Sequence, residues 1–184
     1  MAIRLSRGAL MDAATALLVL VAAGFVVNDR VVPALAERAR IDPGDRVEGL
    51  RLRGLASGDT VELTGDAPSL VVVFRSTCPA CEATAPDWAA LGRIAPGRLL
   101  AVGLEAEQVV EEWVRRELAG VEPMIPIDPA RFVDRLRIRA VPTTLLFDRG
   151  RLALARVGPL QPEDRTRIRR AFETARTAQT VRAR

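Results

Sequence analysis

Residues 69–88 decide the fold, and they read SLVVVFRSTCPACEATAPDW. After its first serine, the segment 69–74 is continuously apolar and rich in β-branched residues, which predicts a strand buried on both faces. Pro79 predicts the start of a helix that runs to about Ile94, because proline suits the first helical position, where its missing N–H costs no hydrogen bond. The two cysteines of the chain, Cys78 and Cys81, therefore lie where a strand gives way to a helix.

The spacing Cys78-Pro79-Ala80-Cys81 points to reversible disulfide chemistry. Two cysteines at this separation can form and break a disulfide without refolding the backbone. The unpaired N–H groups and the positive dipole end of a helix N-terminus favour the thiolate of a cysteine placed there. We therefore expect Cys78 to be the exposed nucleophile and Cys81, one turn into the helix, to be the resolving thiol.

Three other uses of a cysteine pair compete with redox catalysis. A zinc site needs about four ligands, whereas the chain has two cysteines and no histidine. Haem attachment requires a histidine after the second cysteine, where Glu82 stands. A purely structural disulfide remains an alternative, although a bond that closes so short a loop restrains little of the unfolded chain. Redox catalysis is favoured, with neither a metal nor a cofactor beyond the Cys78–Cys81 couple.

The overall composition removes several other classes of function. The 184 residues contain no His and no Lys, so that neither a Ser-His-Asp triad nor a lysine Schiff base is possible. The net charge is only +4 and aromatic residues make up 4%, so that nucleic-acid binding is not expected. The tail 165–184 carries seven arginines against Glu173 alone, and we interpret it as a solvated helix face rather than a membrane contact.

The N-terminus predicts the compartment. Arg4 and Arg7 precede an apolar run over Ala13–Val27, and we predict a membrane anchor within residues 1–30. A signal peptide cleaved after Ala34-Leu35-Ala36 and a buried core helix are the alternatives. With either the anchor or the signal peptide, the positive-inside rule places the remaining chain outside the cytoplasm, in the periplasm, where disulfides persist.

The rest of the chain has the pattern of one α/β domain. Residues 31–45 are a polar, proline-containing connector, 46–178 the folded domain and 179–184 a tail. The element order predicts an α/β sandwich with a mixed sheet. Besides the strand and helix already given, we predict a hairpin over 47–55 and 60–63, strands over 99–104, 143–147 and 152–157, helices over 106–118, 130–136 and 161–178, and an irregular stretch with Pro123, Pro126 and Pro129.

These motifs resemble those of the thioredoxin fold, and more narrowly those of membrane-anchored, extracytoplasmic thiol-disulfide oxidoreductases of the TlpA/ResA type. Pro86, five residues after Cys81, stands where that family has a helix-kinking proline. The second match is the segment Val141-Pro142-Thr143-Thr144, and the resemblance spans about 44–178. It implies a three-layer α/β/α sandwich with a mixed sheet and an N-terminal β-hairpin.

The resemblance also implies a substrate site. In this fold a cis-proline loop faces the cysteines, so that Pro142 is expected in the cis form, whereas the residues alone would predict an ordinary trans proline. Val141, Pro142, Thr77 and Pro79 are expected to contact the bound polypeptide. We expect Trp88 and Phe147 to be core residues rather than part of a substrate platform.

The chain departs from thioredoxins proper at two positions. Thr77 and Val72 stand where those proteins have a tryptophan and a buried aspartate, so that the usual proton acceptor for the resolving cysteine is absent. Some relatives use a glutamate after the next strand, which makes Glu105 a candidate proton acceptor. Its alternative role is that of an acid favoured near the start of a helix.

The resemblance implies that the protein reduces disulfides in extracytoplasmic clients. These clients would be apocytochromes or other metalloproteins before cofactor insertion, and a membrane electron donor would re-reduce the couple. A close variant is a MauD-like accessory factor that matures one disulfide-rich enzyme. A different class of function is a membrane-tethered thioredoxin fold that binds a client without catalysis.

Overall fold

One mixed sheet of seven strands organises the computed structural model, which describes residues 42–63, 65 and 67–182, with side chains up to Thr177. The strands are ordered β2-β1-β5-β4-β3-β6-β7 across the sheet. They are β1 (Arg51–Gly54), β2 (Thr60–Glu62), β3 (Ser69–Phe74), β4 (Leu99–Gly103), β5 (Pro123–Pro126), β6 (Thr143–Asp148) and β7 (Arg151–Val157). The helices are α1 (Pro79–Ile94), α2 (Glu107–Glu117), α3 (Pro129–Arg135) and α4 (Pro162–Arg182).

The central strand β3 confirms the prediction from its sequence. It pairs in parallel with β4 and antiparallel with β6, and its last five residues are fully buried. Helices cover both of its faces, so that no position along the strand has to be polar. Both β3 and α1 begin and end at the predicted residues.

Helices on the two sides of the sheet form the three predicted layers. On one face, Val72 and Phe74 pack with buried residues of α1, α2 and α4, such as Trp88. On the other face, Val71 and Val73 pack with Phe132 of α3 and with residues of the N-terminal hairpin. The β1–β2 hairpin is antiparallel, as predicted.

The prediction of an irregular stretch around Pro123 and Pro126 is wrong, because these residues bound strand β5. The strand pairs antiparallel with β1 and in parallel with β4, and its Met124 is buried. Its two prolines occupy the first and last positions, where a missing N–H removes little from the ladder. The carbonyl of Pro123 still accepts a hydrogen bond from Leu55 N–H at 2.9 Å.

Smaller differences concern element ends. The final helix α4 continues to Arg182, past the predicted end at Ala178. The β6–β7 turn has positive φ at both Arg149 and Gly150, which gives a two-residue turn suited to a hairpin.

The predicted anchor, 1–30, lies outside the described residues, as do the alternative cleavage site and most of the connector. Among the helices that the structure does describe, none combines the length and the apolar character needed to span a membrane.

Candidate redox site

Cys78 and Cys81 lie at the N-terminus of α1, immediately after the turn that leaves β3. Cys78 is the N-cap residue of the helix, and Pro79 occupies its first turn, as predicted. The two cysteines form a disulfide across a Cα–Cα distance of 5.2 Å. The N–H of Cys81 also donates to Cys78 Sγ at 3.1 Å, so that a backbone donor of the helix start is directed at the first sulfur.

The two sulfurs differ in their access to solvent. Cys78 is partly exposed, whereas Cys81 is fully buried and packs in the core cluster with Phe74 and Trp88. A client sulfur can therefore reach Cys78 from outside but cannot reach Cys81 directly. This asymmetry fits an attacking and a resolving thiol.

A loop from the neighbouring strand completes the site. The Val141–Pro142 peptide bond is cis, which confirms the expectation for Pro142. The carbonyl oxygen of Val141 lies 3.8 Å from Cys78 Sγ. The loop is held on both sides, because Thr143 Oγ1 donates to the carbonyl of Ala140 at 2.6 Å and Gly158 N–H donates to the carbonyl of Pro142 at 2.8 Å.

The other predicted contact residues border the same opening. Thr77 and Pro79 are exposed on either side of Cys78, and Val141 is half-buried. The structure thus brings all four predicted polypeptide-contact residues together around one partly exposed sulfur. That they touch a client stays a prediction.

Glu105 holds the turn that precedes Cys78. This half-buried carboxylate follows β4, and it accepts hydrogen bonds from Ser76 N–H at 2.7 Å and from Ser76 Oγ at 3.1 Å. The contact fixes the backbone two residues before the reactive cysteine. The proton-acceptor role of Glu105 stays a prediction, and Val72, at the position of the missing aspartate, is fully buried in β3.

One contact of the site was missed from the sequence. Trp88 and Phe147 are buried, as expected for core residues. In addition, Trp88 Nε1 donates to Thr144 Oγ1 at 3.0 Å, and this buried bond ties the cysteine helix α1 to β6, the strand that follows Pro142. The available signal was the pair of threonines that opens the run TTLLF of β6, since a buried indole N–H needs an acceptor.

The described side chains do not assemble a metal-binding group. Over residues 42–177, apart from positions 64 and 66, no three Cys, Asp or Glu side chains come together in a way that could hold an ion.

Comparison with known proteins identifies the architecture. No protein-family model matches the chain, and no curated protein matches it. Solved structures do match. A candidate thiol:disulfide interchange protein DsbE from Chlorobium tepidum is 22% identical with a TM-score of 0.56, and the match covers 73% of this chain and 98% of that one. The chain has the thioredoxin fold.

Two further structures with this fold are similar over nearly their whole length. The thio-disulfide isomerase of Thermus thermophilus is 19% identical with a TM-score of 0.55, covering 67% of this chain and 92% of the isomerase. The pneumococcal exposed lipoprotein thioredoxin of Streptococcus pneumoniae is 18% identical with a TM-score of 0.54, covering 67% of this chain and 98% of the lipoprotein. The predicted thioredoxin-like sandwich, with its mixed sheet and N-terminal hairpin, is thereby confirmed for the described residues.

Proposed function

We propose that the protein is a thiol-disulfide oxidoreductase that reduces disulfides in other proteins. The observation that carries the proposal is the arrangement around the Cys78–Cys81 disulfide. A partly exposed sulfur at a helix N-terminus lies 3.8 Å from the carbonyl of Val141, with the second sulfur buried behind it. The similar structures named as interchange and isomerase proteins support the same chemistry.

The reaction balances as an exchange of two electrons. The Cys78 thiolate attacks one sulfur of the client disulfide, and the other client sulfur leaves and takes up a proton. Cys81 then loses its proton and attacks Cys78 Sγ, which breaks the mixed disulfide and releases the second client thiol. The enzyme ends as the Cys78–Cys81 disulfide seen in the structure. A membrane dithiol donor returns two electrons and two protons to it.

Backbone groups of the chain support the attacking sulfur. The Cys81 N–H that lies 3.1 Å from Cys78 Sγ stabilises negative charge on that sulfur once the disulfide is reduced. The Val141 carbonyl offers an acceptor beside the same sulfur, where it can pair with a client N–H. Thr77 and Pro79, both exposed, form the remaining border for a client chain.

We place this activity outside the cytoplasm, on a domain tethered by residues 1–30. The arginines before the apolar run over Ala13–Val27 support that topology. One similar structure is described as an exposed lipoprotein. The clients we favour are apocytochromes or other metalloproteins before cofactor insertion, and a single disulfide-rich enzyme, as for a MauD-like factor, is the narrower version.

Trapping of mixed disulfides tests the proposal. Cys81→Ser removes the resolving thiol, so that clients should accumulate as covalent adducts of Cys78 that are released by dithiothreitol. Cys78→Ser is the matched control and should trap nothing. If Cys81→Ser forms no adducts and the double variant keeps full cellular function, a non-catalytic binding module replaces the enzyme.

The direction of transfer follows from the reduction potential of the couple. A value near about −270 mV, as in thioredoxin, implies a reductant, whereas one near about −120 mV, as in DsbA, implies an oxidant. Equilibration with glutathione redox buffers, read by thiol alkylation, measures it. A value near that of DsbA would contradict the reductive direction while leaving exchange chemistry intact.

A further inference from the structure

Three segments of the chain meet around Cys78. Residues 75–80 carry the sulfur itself, and residues 137–143 bring the Val141 carbonyl to 3.8 Å from it. Residues 157–161 join them, because Gly158 N–H donates to the carbonyl of Pro142. Together these segments form the surface that a client disulfide must approach.

The charged residues within these three segments have one sign. The three segments read RSTCPA, RIRAVPT and VGPLQ, with three arginines and no carboxylate. All three arginines are exposed, and we call Arg75 and Arg139 the basic rim. Within the described part of the chain, neither of them forms an ion pair.

The turn before Cys78 and the cis-proline loop place the basic rim near the reactive sulfur. Arg75 follows the end of β3, and its carbonyl accepts a hydrogen bond from Cys78 N–H at 3.2 Å. Arg139 precedes Val141 by two residues, so that their Cα atoms are at most about 7.6 Å apart. One arginine therefore belongs to the turn that carries Cys78, and the other lies two residues before the carbonyl that faces Cys78.

Neither Glu105 nor Glu82 forms an ion pair with the basic rim in the described part of the chain. Both oxygens of Glu105 accept hydrogen bonds from Ser76. Glu82, the first carboxylate of α1, lies 3.9 Å from an Arg116 nitrogen. Arg156 of β7, by contrast, is paired in bidentate fashion with Asp164 and adds no free charge.

We propose that the basic rim selects clients in which acidic residues flank the disulfide. This inference rests on the proposed function and names its substrate class. Each Asp or Glu beside the client cysteines gains an attractive partner at Arg75 or Arg139, whereas each Arg or Lys meets a like charge. Such complementarity acts mainly on the rate of encounter and on the choice of partner.

Three peptides with one disulfide each test the selection. Their sequences are identical except at the residues that flank the cysteines, which are Asp, Ser or Arg. The reduced full chain, in a nonionic detergent, is mixed in excess with each peptide, and free peptide thiols are trapped and counted by mass. At low ionic strength we expect the Asp peptide to react about tenfold faster than the Arg peptide. The difference should shrink near 1 M salt, where the Debye length is about 3 Å.

Charge reversal of the basic rim provides the decisive comparison. The double variant Arg75→Glu/Arg139→Glu should react faster with the Arg peptide than with the Asp peptide. The readout is the ratio of the reaction rates with the Asp and Arg peptides, because a new charge beside Cys78 changes its reactivity toward all peptides. The matched control is Arg93→Glu, an exposed position in the last turn of α1, about 22 Å from Cys78 along the helix axis. This control should react with the three peptides in the same order of rates as wild type.

The outcomes separate the two proposals. If all three peptides are reduced at one rate, the proposed function stands and the selection by the basic rim is overturned. The same holds if the reversed variant, folded by circular dichroism, keeps the wild-type order. If no peptide is reduced, the proposed function fails and the inference fails with it.

Discussion

The buried hydrogen bond between Trp88 and Thr144 gives the sharpest test of how the site is held together. Trp88 Nε1 donates to Thr144 Oγ1 at 3.0 Å, and both residues are fully buried. Thr144→Val keeps the shape of the side chain but removes the only acceptor that the indole N–H has in the described structure. An unsatisfied buried donor costs about 1–3 kcal/mol, so that the free energy of unfolding should fall by about 2 kcal/mol.

Urea unfolding followed by far-UV circular dichroism measures that cost. Trp88→Phe removes the donor, and the double variant Trp88→Phe/Thr144→Val removes both partners. Because the double variant leaves no orphaned donor, its destabilisation should be smaller than the sum of the two single effects by about 1 kcal/mol. Thr166→Val, at an exposed position of α4, is the control and should change the free energy of unfolding by less than about 0.5 kcal/mol.

Two results would refute this reasoning. One is a Thr144→Val protein that is as stable as the control variant. The other is strict additivity of Trp88→Phe and Thr144→Val, which would mean that the 3.0 Å contact contributes no coupling energy. Either result would mean that apolar packing alone holds α1 against β6.

Two further predictions concern carboxylates. Burial alone would raise the pKa of Asp164, but hydrogen bonds from Arg156 and from Gln161 N–H outweigh it and lower the pKa. Its stabilising contribution is therefore present above the unfolded value of about 4 and is lost as the pH falls through the lower folded pKa. In Asp164→Asn, the free energy of unfolding should therefore fall less steeply between about pH 5 and 2 than in wild type. Urea unfolding at several pH values measures this, and an unchanged pH dependence would contradict it. Glu105→Gln keeps an acceptor for Ser76 N–H, so that the rate of disulfide reduction should stay within about twofold of wild type, whereas Glu105→Ala should lower it severalfold. A loss of rate in Glu105→Gln that varies with pH would instead identify the carboxylate as the proton acceptor.

The centre of the fold was predictable because its boundaries are encoded locally. The apolar run of β3 and the proline that opens α1 each mark an element edge within a few residues, and both elements match their predicted bounds. Strand β5 was not predictable in this way, because Pro123 and Pro126 have the local character of chain breakers. Its strand conformation depends on pairing with β1 and β4, which become its neighbours only in the folded sheet.

The cysteines were predictable, but their surroundings were not. The spacing of Cys78 and Cys81 alone indicates disulfide chemistry, whereas the cis form of Pro142 was expected only from the resemblance. The bonds from Trp88 to Thr144 and from Ser76 to Glu105 join residues 56 and 29 positions apart. No periodicity in the sequence reports such pairings, because they depend on how the strands are ordered in the sheet.

The absence of histidine has a consequence for how the chemistry can be observed. Apart from the α-amino group, no group in this chain has an ordinary pKa between about 5 and 8. An inflection of the exchange rate in that range would therefore belong to a cysteine thiol or to a carboxylate whose pKa has been raised well out of its usual range. Glu105→Gln separates the two, because an inflection that persists in this variant belongs to the cysteines. With Glu105→Gln as the control, the composition that rules out most catalytic machinery thus allows the pH profile of this protein to be read as thiol ionisation.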